Sequence, residues 1–449
     1  MSKLGKALFV GLILVFSLLL ISNVSADWAM FRSNPSRDGV GTGKAVLNSD
    51  LIWKSNISFA QSYSNWWDWS SPVIAGGVAY VGSSFAASDE YNGSYPQSGE
   101  LFAFNASNGA LIWDYIDHFS HRIITPAVDN GVVVFGSMGD QYFGALNASN
   151  GVSIWNYTTD EGFSSPAIVN GVVYFGSYFG GGTGIVNALN VTNGDQLWNF
   201  TNYNNIDVGV IGSSPAVVNG VVYIGSEDGN LYALNAINGR LLWNYTAKSS
   251  IPGAPAVADG VVYFANSGSD VYALNATAGT ILWTYHIGPD VIREGSSPAV
   301  ANGVVYIGSA RSMDPRTTRY TTPGNVYALN ASTGDKIWVF SITGGDFASD
   351  PAFVNGVVYI GSSNGFVYAL NEKDGNMLWS YQTGSNNYVD SSPAVADGVL
   401  YIGGGDGNVY ALSNLPNSAF ALPAVVVGTV SVVVVCAGLI VYFKKRKHV

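Results

Sequence analysis

The sequence has very few of the residue types from which most reactive sites are built. Its 449 residues include one Cys and four His. The single Cys436 excludes an internal disulfide and any metal centre held by several thiolates. Asp, Glu, Lys and Arg together make up 11% of the chain, whereas soluble domains carry roughly 25%. This shortage of charge argues against a coiled coil or a charged helical array.

Glycine and aromatic residues are abundant instead. The chain has 54 Gly, about 12% against an average near 7%. It also has 12 Trp, 26 Tyr and 21 Phe, and 48% of its residues are hydrophobic. A sequence of this composition can bury a core, and it is typical of a β protein with many turns.

The N-terminal residues 1–26 have the pattern of a secretory signal. Lys3 and Lys6 form a basic start, and an apolar run follows. Val24-Ser25-Ala26 then resembles a signal-peptidase cleavage site, which is made of small residues. An uncleaved N-terminal anchor is the alternative. The signal predicts that the body of the chain is exported.

The C-terminal end has the pattern of a membrane anchor. After a linker at 414–423, residues 424–443 are 20 uncharged, mostly apolar positions. At ~1.5 Å per residue such a helix spans the ~30 Å hydrocarbon core. The tail 444–449 holds four basic residues and is expected in the cytoplasm. The predicted localisation is therefore the cell membrane, with a single pass and an extracellular body.

The exported body is strongly acidic. Of the 19 Lys and Arg, two lie in the signal and four in the tail, which leaves 13 against 30 Asp and Glu, a net charge of −17. A negative body disfavours nucleic acid as a partner and favours basic surfaces as neighbours.

The body is built from an internal repeat. An element such as SSPAVVNGVVY, from Ser213, occurs eight times at spacings of 40 to 54 residues. Its prolines are Pro72, Pro126, Pro166, Pro215, Pro255, Pro298, Pro351 and Pro393.

Each repeat contains four predicted strands. A short strand around Pro-Ala-Val is followed by Asn-Gly, Asp-Gly or Gly-Gly, which favour type I′ hairpin turns. Val-Val-Tyr-Ile-Gly, then Leu-Tyr-Ala-Leu-Asn, then a strand ending in Trp complete the unit. Four antiparallel strands per 40-odd residues indicate a β-propeller blade. We therefore predict an all-β fold, an eight-bladed propeller over residues 27–413.

The tryptophans indicate how the ring closes. Seven repeats end in Trp, the eighth stops at Ser413 without one, and Leu51-Ile52-Trp53 has no preceding strands. We expect the strand at Trp53 to complete the last blade, which removes an open sheet edge. A seven-bladed ring with a stray hairpin is the alternative. The repeat tryptophans, with a predicted structural docking role, are Trp53, Trp113, Trp155, Trp198, Trp243, Trp283, Trp338 and Trp379.

The repeat resembles a known family. The stretches ALNAINGRLLW, ALNATAGTILW and ALNASTGDKIW are similar to the tryptophan-docking motif of pyrroloquinoline-quinone (PQQ) repeat propellers. The opening DWAMFRSNPSRDGV, from Asp27, also looks like the N-terminal signature of such proteins. The resemblance covers about 27–413 and implies that each Trp packs between neighbouring blades.

The same resemblance leaves the function open, because the family includes both quinone-dependent dehydrogenases and non-enzymatic assembly factors of the cell envelope. The dehydrogenases stack the quinone between a Trp and a disulfide of adjacent cysteines, and they hold Ca²⁺ with Glu, Asn and Asp. Adjacent cysteines and haem-attachment motifs are absent here. We predict no cofactor, no catalytic residues and a non-catalytic binding or scaffold module of the cell envelope. The alternatives are a PQQ-dependent dehydrogenase and a carbohydrate-binding surface protein.

Export gives meaning to a dense set of Asn-x-Ser/Thr sequons. Turn chemistry also favours Asn, Ser and Thr, so glycosylation remains a prediction. An archaeon with glycosylated surface proteins is the source that fits best. The candidate sites are Asn56, Asn92, Asn105, Asn147, Asn156, Asn190, Asn199, Asn244, Asn275 and Asn330.

Two features suggest where a partner would bind. Trp66, Trp67 and Trp69 either pack on the first blade or form a stacking platform for a ligand. The long insertions 83–99, 177–184 and 309–324 are second-to-third-strand turns, which in a four-stranded meander share a face with the links between blades. We expect an envelope protein or a glycan to bind this face, and we expect glycans attached to the turn sequons to cover the opposite one.

Overall fold

The regular structure of this protein is entirely β in the part of the chain that can be described. Strands group into eight antiparallel sheets of four main strands, one for each predicted blade. The eight-bladed propeller predicted from the repeats is confirmed. The computed structural model describes residues 28–55, 68–86, 97–117, 122–138, 142–158, 162–179, 183–201, 212–288, 296–310, 313–314, 319–320, 323–347, 349–384 and 388–414.

The innermost strands line the central channel. Each has three residues and follows directly after the repeat Ser-Pro or its equivalent. Every inner strand contacts the inner strands of both neighbouring blades, the eighth contacting the first, so the ring is closed. From blade 1 to blade 8 they are Val73–Ala75, Ala127–Asp129, Ala167–Val169, Ala216–Val218, Ala256–Ala258, Ala299–Ala301, Ala352–Val354 and Ala394–Ala396.

The second and third strands form the middle of each blade, and their Val, Ile, Leu and Tyr side chains supply most of the buried core. The second strands are Val78–Ala86, Val132–Met138, Val172–Phe179, Val221–Gly225, Val261–Ala265, Val304–Ser309, Val357–Gly361 and Val399–Gly404. The third strands are Gln97–Asn105, Tyr142–Asn147, Thr183–Asn190, Asn230–Asn235, Asp270–Asn275, Gly324–Asn330, Phe366–Asn371 and Asn408–Ser413.

The outer strands follow a Gly-containing turn, except in blade 8. There the fourth strand comes from the start of the body, and Asp50–Lys54 pairs antiparallel with Asn408–Ser413. Pairing the two ends of the body closes the ring without an open edge. The outer strands are Leu111–Asp117, Ser153–Thr158, Gln196–Thr201, Leu241–Thr246, Ile281–His286, Lys336–Ile342, Met377–Gln382 and Asp50–Lys54.

Four short strands lie outside this scheme. Asp68–Trp69 and Arg122–Ile123 pair with the far ends of the second strands in blades 1 and 2. Met313–Asp314 and Arg319–Tyr320 form a small hairpin within the long turn of blade 6. All four lie towards the face formed by the second-to-third turns and the inter-blade links, which we call the link face.

The first hairpin of each blade has the backbone that the Asn-Gly and Asp-Gly pairs predict. Asn130 and Gly131 have φ values of 46° and 79°, and the same pattern recurs in the other blades. Positive φ at both central residues defines the type I′ turn, whose twist matches that of the flanking strands. These turns lie on the face opposite to the link face, together with the third-to-fourth turns. We call it the turn face.

Each repeat tryptophan joins its own blade to the next. Trp53, for example, donates its Nε1–H to the Ala106 carbonyl at 2.8 Å. It also packs on Gly109, where an added Cβ would come within 2.6 Å of the indole ring. All eight tryptophans make this bond at 2.8–3.1 Å, to the carbonyls of Ala106, Ala148, Val191, Ala236, Ala276, Ala331, Glu372 and, from Trp379, Val46.

Membrane anchoring concerns segments at the chain ends. No helix long and apolar enough to span a bilayer occurs among the described residues. The predicted signal at 1–26 and the predicted anchor at 424–443 both lie outside them.

Candidate functional site

Residues 28–41 fill the central channel and form what we call the plug. Trp28 and Ile74 exchange two backbone hydrogen bonds of 2.8 Å, which ties the start of the plug to blade 1. The plug then follows the inner strands around the ring. Its carbonyls at Ala29, Pro35, Ser36, Asp38 and Gly39 accept N–H bonds of 2.6–2.9 Å from Val128, Val217, Val257, Val300 and Phe353. The inner edges of six blades are thereby paired.

Arg37 is fully buried at the centre of the plug. Its Nε donates to the Pro215 carbonyl at 3.0 Å, and its Nη2 donates to the carbonyls of Ser165 and Pro166 at 3.0 and 2.7 Å. Nη1 donates to the Phe31 carbonyl within the plug. Burial, together with the nearby Arg32, lowers the pKa of Arg37 to about 9, and Asp350 opposes part of that shift. One guanidinium therefore links the plug to blades 3 and 4.

Arg32 and Asp350 form a second buried charged group. Burial lowers the pKa of Arg32, and Asp350 and Asp38 oppose that shift. Burial likewise raises the pKa of the Asp350 carboxyl, while Arg32 and a hydrogen bond from Ser297 oppose it. Arg32 Nη2 donates to the Pro298 carbonyl. Its Nε and Nη1 have no hydrogen-bond partner among the described residues.

The residues immediately before the repeat prolines form a belt around the channel, which we call the pre-proline belt. Its members are Ser71, Thr125, Ser165, Ser214, Ala254, Ser297, Asp350 and Ser392. In six of the eight junctions the backbone N–H of one member donates to the side-chain oxygen of the next, at 2.7–3.1 Å. The junction from Ser214 to Ala254 cannot form this bond because alanine has no side-chain oxygen. The belt therefore fastens neighbouring blades to each other.

A pocket of about 360 Å³ lies above the plug and opens at the link face. Phe31 of the plug forms part of its lining, and the pre-proline belt surrounds it. Trp69 and Phe163 add aromatic surface, while Arg122 and Asp390 place exposed charges at its rim. The pocket is thus open at the link face, rich in hydroxyl groups and closed from below by the protein's own chain.

Four hydroxyl groups of the belt already act as hydrogen-bond acceptors. The side-chain oxygens of Ser71, Thr125, Ser214 and Ser392 each accept a backbone N–H. A hydroxyl that accepts one bond can still donate its own proton. The pocket can therefore offer O–H donors to a bound group, while one of the two acceptor lone pairs on each of these hydroxyls already holds two blades together.

Of the three tryptophans in the predicted platform, only Trp69 lies among the described residues. Trp69 is buried and lines the pocket, and its indole Nε1–H has no partner among the described residues. Trp66 and Trp67 lie outside those residues. The repeat tryptophans lie between blades and far from the channel axis, and they are absent from the pocket lining.

The sequons separate into two groups. Asn105, Asn147, Asn190, Asn275 and Asn330 are half-buried in third-to-fourth turns, where each side-chain Oδ1 accepts the N–H of the residue two positions on. Asn156, Asn199 and Asn244 are exposed on outer strands. Asn56 and Asn92 lie outside the described residues.

Sequence reasoning did not identify the buried charges Arg32, Arg37 and Asp350. For Asp350 a signal existed, since it is the one acidic residue among the eight positions before the repeat prolines. For Arg32 and Arg37 the signal was weaker. They lie in the opening segment that carries the family resemblance, but no local pattern places that segment in the channel.

The pocket does not fit the quinone and calcium pair of the related dehydrogenases. A chain with a single Cys cannot form the disulfide of adjacent cysteines that covers the quinone. The buried carboxylate of Asp350 faces two arginines and accepts the Ser297 N–H at 2.7 Å, so it is a poor ligand for a cation. The described residues contain no group of three His, Cys, Asp or Glu that could hold a metal ion.

Solved structures share the fold at low sequence identity. A quinohemoprotein alcohol dehydrogenase of Pseudomonas putida matches with a TM-score of 0.69 and 16% identity, over 86% of this chain and 80% of that one. BamB of Moraxella catarrhalis matches with a TM-score of 0.57 and 19% identity, over 81% and 97%. The computationally designed Ika8 protein matches with a TM-score of 0.60 and 15% identity, over 82% and 100%. An enzyme, an envelope protein and a designed protein all share this fold, so the likeness does not assign a function.

Sequence comparison is more specific. A search of curated proteins finds no match. The family described as outer membrane protein assembly factor BamB matches over residues 45–201, 182–317 and 311–415, which together span the propeller except for the plug. The chain therefore belongs to that family of repeat propellers.

Proposed function

We propose that this protein is a non-catalytic scaffold of the cell envelope that binds a partner protein at its link face. The observation that carries the proposal is the plugged channel. Residues 28–41 occupy the space on the propeller axis, and the pre-proline belt uses its polar groups to join blades. What remains at the link face is an open pocket surrounded by links and long turns, a surface suited to a protein partner. The match to the family described as outer membrane protein assembly factor BamB supports this function.

The partner should have a basic or apolar contact surface. The body carries a net charge of −17, so a basic partner surface is attracted over long range. Arg122 and Asp390 place exposed charges of opposite sign at the pocket rim, and Trp69, Phe31 and Phe163 offer an aromatic interior. A side chain inserted into the pocket would serve as the anchor of such an interface.

In this proposal the propeller is exported and held at the cell membrane. The signal-like residues 1–26 direct export, the apolar segment 424–443 spans the bilayer, and the basic tail 444–449 stays inside. The turn sequons carry glycans that cover the turn face and leave the link face open. Protease added to intact cells should remove the propeller, and protection of the whole body would overturn this topology.

The binding experiment compares the two faces of one protein. The insertion 309–324 on the link face is shortened to Asp-Gly-Asn, and in a second variant the five turn asparagines are changed to Asp. Each variant, in the full chain, is used to capture partners from solubilised membranes of the source organism. We expect the shortened turn to lose the partner and the Asp set to keep it. Binding lost only in the Asp set would assign the partner to the turn face.

Carbohydrate binding at the pocket is a second candidate, favoured by one observation. Three aromatic side chains and several hydroxyl donors line the same cavity, which is the combination that sugar rings require. A glycan array tests it directly. Binding that disappears in Trp69→Ala, and persists in a variant of the outer rim such as Leu242→Ala, would favour the glycan over the protein partner.

A further inference from the structure

The point where the chain leaves the propeller is firmly held. Asn414, the last described residue, donates its Nδ2–H to the Ala45 carbonyl at 2.8 Å. Its Oδ1 accepts the backbone N–H of Asn48 at 2.7 Å and that of Leu47. These bonds fix the exit at the turn face of blade 8, next to the segment that leads into its outer strand.

The predicted membrane helix must begin close to this exit. Only residues 415–423 separate Asn414 from the first apolar position at 424. At ~3.3–3.6 Å per residue, the ten steps from Asn414 to residue 424 reach about 36 Å at most. One corner of the propeller, at the turn face of blade 8, is therefore kept near the bilayer whenever 424–443 spans it.

Exposed apolar side chains lie at the same corner. Leu47, Leu51, Met377 and Leu378 are 57%, 38%, 51% and 41% exposed, and we call them the exit patch. Leu51 pairs with Leu412 in blade 8. Met377 and Leu378 belong to blade 7 but lie beside them, because the next residue, Trp379, donates to the Val46 carbonyl at 2.9 Å.

Similar apolar residues precede the tryptophans of other blades, so exposure alone does not mark the exit patch. What distinguishes the exit patch is its place beside Asn414, where the chain leaves the propeller. Five of the first six blades carry a sequon in the third-to-fourth turn, whereas the blade 7 turn reads Asn371-Glu372-Lys373 and blade 8 has no such sequon. That turn carries Glu372, Lys373 and Asp374, a net charge of −1, and the exposed Asp50 precedes Leu51. The corner from which the chain leaves is thus apolar with a small negative charge, and its turns lack a glycan acceptor, as does the blade 4 turn.

We propose that the exit patch docks on the surface of the lipid bilayer, with its side chains in the boundary between headgroups and acyl chains. Apolar side chains held at that depth bind membranes according to the area they bury. This docking rests on the proposed membrane anchor. The docking tilts the propeller so that the blade 7–8 corner of the turn face contacts the lipid. The link face, with its pocket, then points away from the membrane towards partners.

The test uses the full chain reconstituted into phosphatidylcholine vesicles that contain a spin-labelled phosphatidylcholine with its nitroxide near the headgroup. In a Cys436→Ser background, Leu378→Cys is labelled with an environment-sensitive fluorophore. Leu242→Cys is the matched control, since Leu242 is 40% exposed and occupies the same position before Trp243 in blade 4, across the ring. We expect quenching of the fluorophore to be about threefold stronger at position 378 than at 242. Adding Met377→Asp should reduce the quenching at 378, and unchanged near-ultraviolet dichroism would show that the variants are folded.

The outcomes separate this proposal from the one on which it rests. A full chain that fails to float with the vesicles would overturn the anchor and the docking together. Flotation with equal, weak quenching at both positions would overturn the docking alone. Disulfide-linked dimers through unlabelled Leu378→Cys, with weak quenching, would assign the patch to a second copy of the chain and also overturn the docking.

Discussion

Replacing Arg37 by alanine should destabilise the whole propeller, although the residue lies outside every repeat. The substitution removes four donor bonds, to the carbonyls of Pro215, Ser165, Pro166 and Phe31. These carbonyls belong to blade 3, blade 4 and the plug. Losing these four bonds therefore weakens the contacts that the Arg37 guanidinium makes between the plug and blades 3 and 4.

The magnitude follows from the number of acceptors left without a donor. An unsatisfied buried acceptor costs about 1–3 kcal/mol, and water that enters the space left by Arg37 brings each carbonyl towards the lower figure. The cost of burying the guanidinium, seen in its lowered pKa, disappears in the variant and offsets part of the loss. We expect a net destabilisation of about 4 kcal/mol.

Thermal unfolding of the full chain in detergent measures this effect. At ~2.1 cal/mol/K per residue, a body of roughly 390 residues loses about 5 °C of Tm for 4 kcal/mol. Arg240→Ala is the matched control, since Arg240 is exposed and, among the described residues, only its backbone makes hydrogen bonds. Arg37→Lys should recover little, because an ammonium group cannot reproduce the planar fork that reaches carbonyls on three sides.

An Arg37→Ala variant whose Tm equals that of Arg240→Ala would refute the reasoning. It would mean that the plug contributes no stability and that the carbonyls find water at no cost. Limited proteolysis provides an independent readout, because a loosened plug should be cut within residues 28–41 while the blades stay intact.

Two further predictions concern the same region. Deleting residues 27–53 removes both the plug and the fourth strand of blade 8, and we expect the cooperative thermal transition to be lost; a deletion variant that melts like the parent would contradict the observed closure. For Asp350, burial raises the folded-state pKa above the unfolded value near ~3.9. The stability that Asp350 contributes is therefore fully present below the unfolded pKa and is lost as the pH rises through the folded pKa. Asp350→Asn keeps the oxygen that accepts the Ser297 N–H, and its Tm relative to the parent should therefore rise as the pH is raised from about 4. A Tm difference that is constant with pH would show that Asp350 does not titrate differently on folding.

Much of this fold can be predicted from the sequence because its determinants are local and repeated. Each Asn-Gly or Asp-Gly pair sets its own hairpin, as the positive φ values at Asn130 and Gly131 illustrate. Eight copies of one pattern make the number of blades countable, and the unpaired Trp53 indicates how the ring closes. Such agreement between local preference and global fold is what a repeat sequence provides.

The candidate site was less predictable because its parts come together only around the closed ring. The belt residues are separated by 40 or more positions, and only the ring makes Ser392 a neighbour of Ser71. The sequence reveals Asp350 as an unusual residue in its repeat, but not that it faces two arginines. Trp69 could be recognised as a candidate, whereas its position in the pocket lining could not be predicted.

By itself, the sequence determined the strand pattern, the hairpin turns, the eight blades and the tryptophan that each blade offers to the next. Those features depend on neighbouring residues and on a period that can be counted. Only the tertiary structure decided that residues 28–41 fill the channel and that Arg32 and Arg37 are buried there. Arg37 bonds to Pro215, 178 positions away, and Arg32 to Pro298, 266 positions away. Contacts of that range do not follow from local propensity. They exist because closing the ring creates a channel lined with unpaired inner edges, and the opening segment of the body supplies the groups that pair with them.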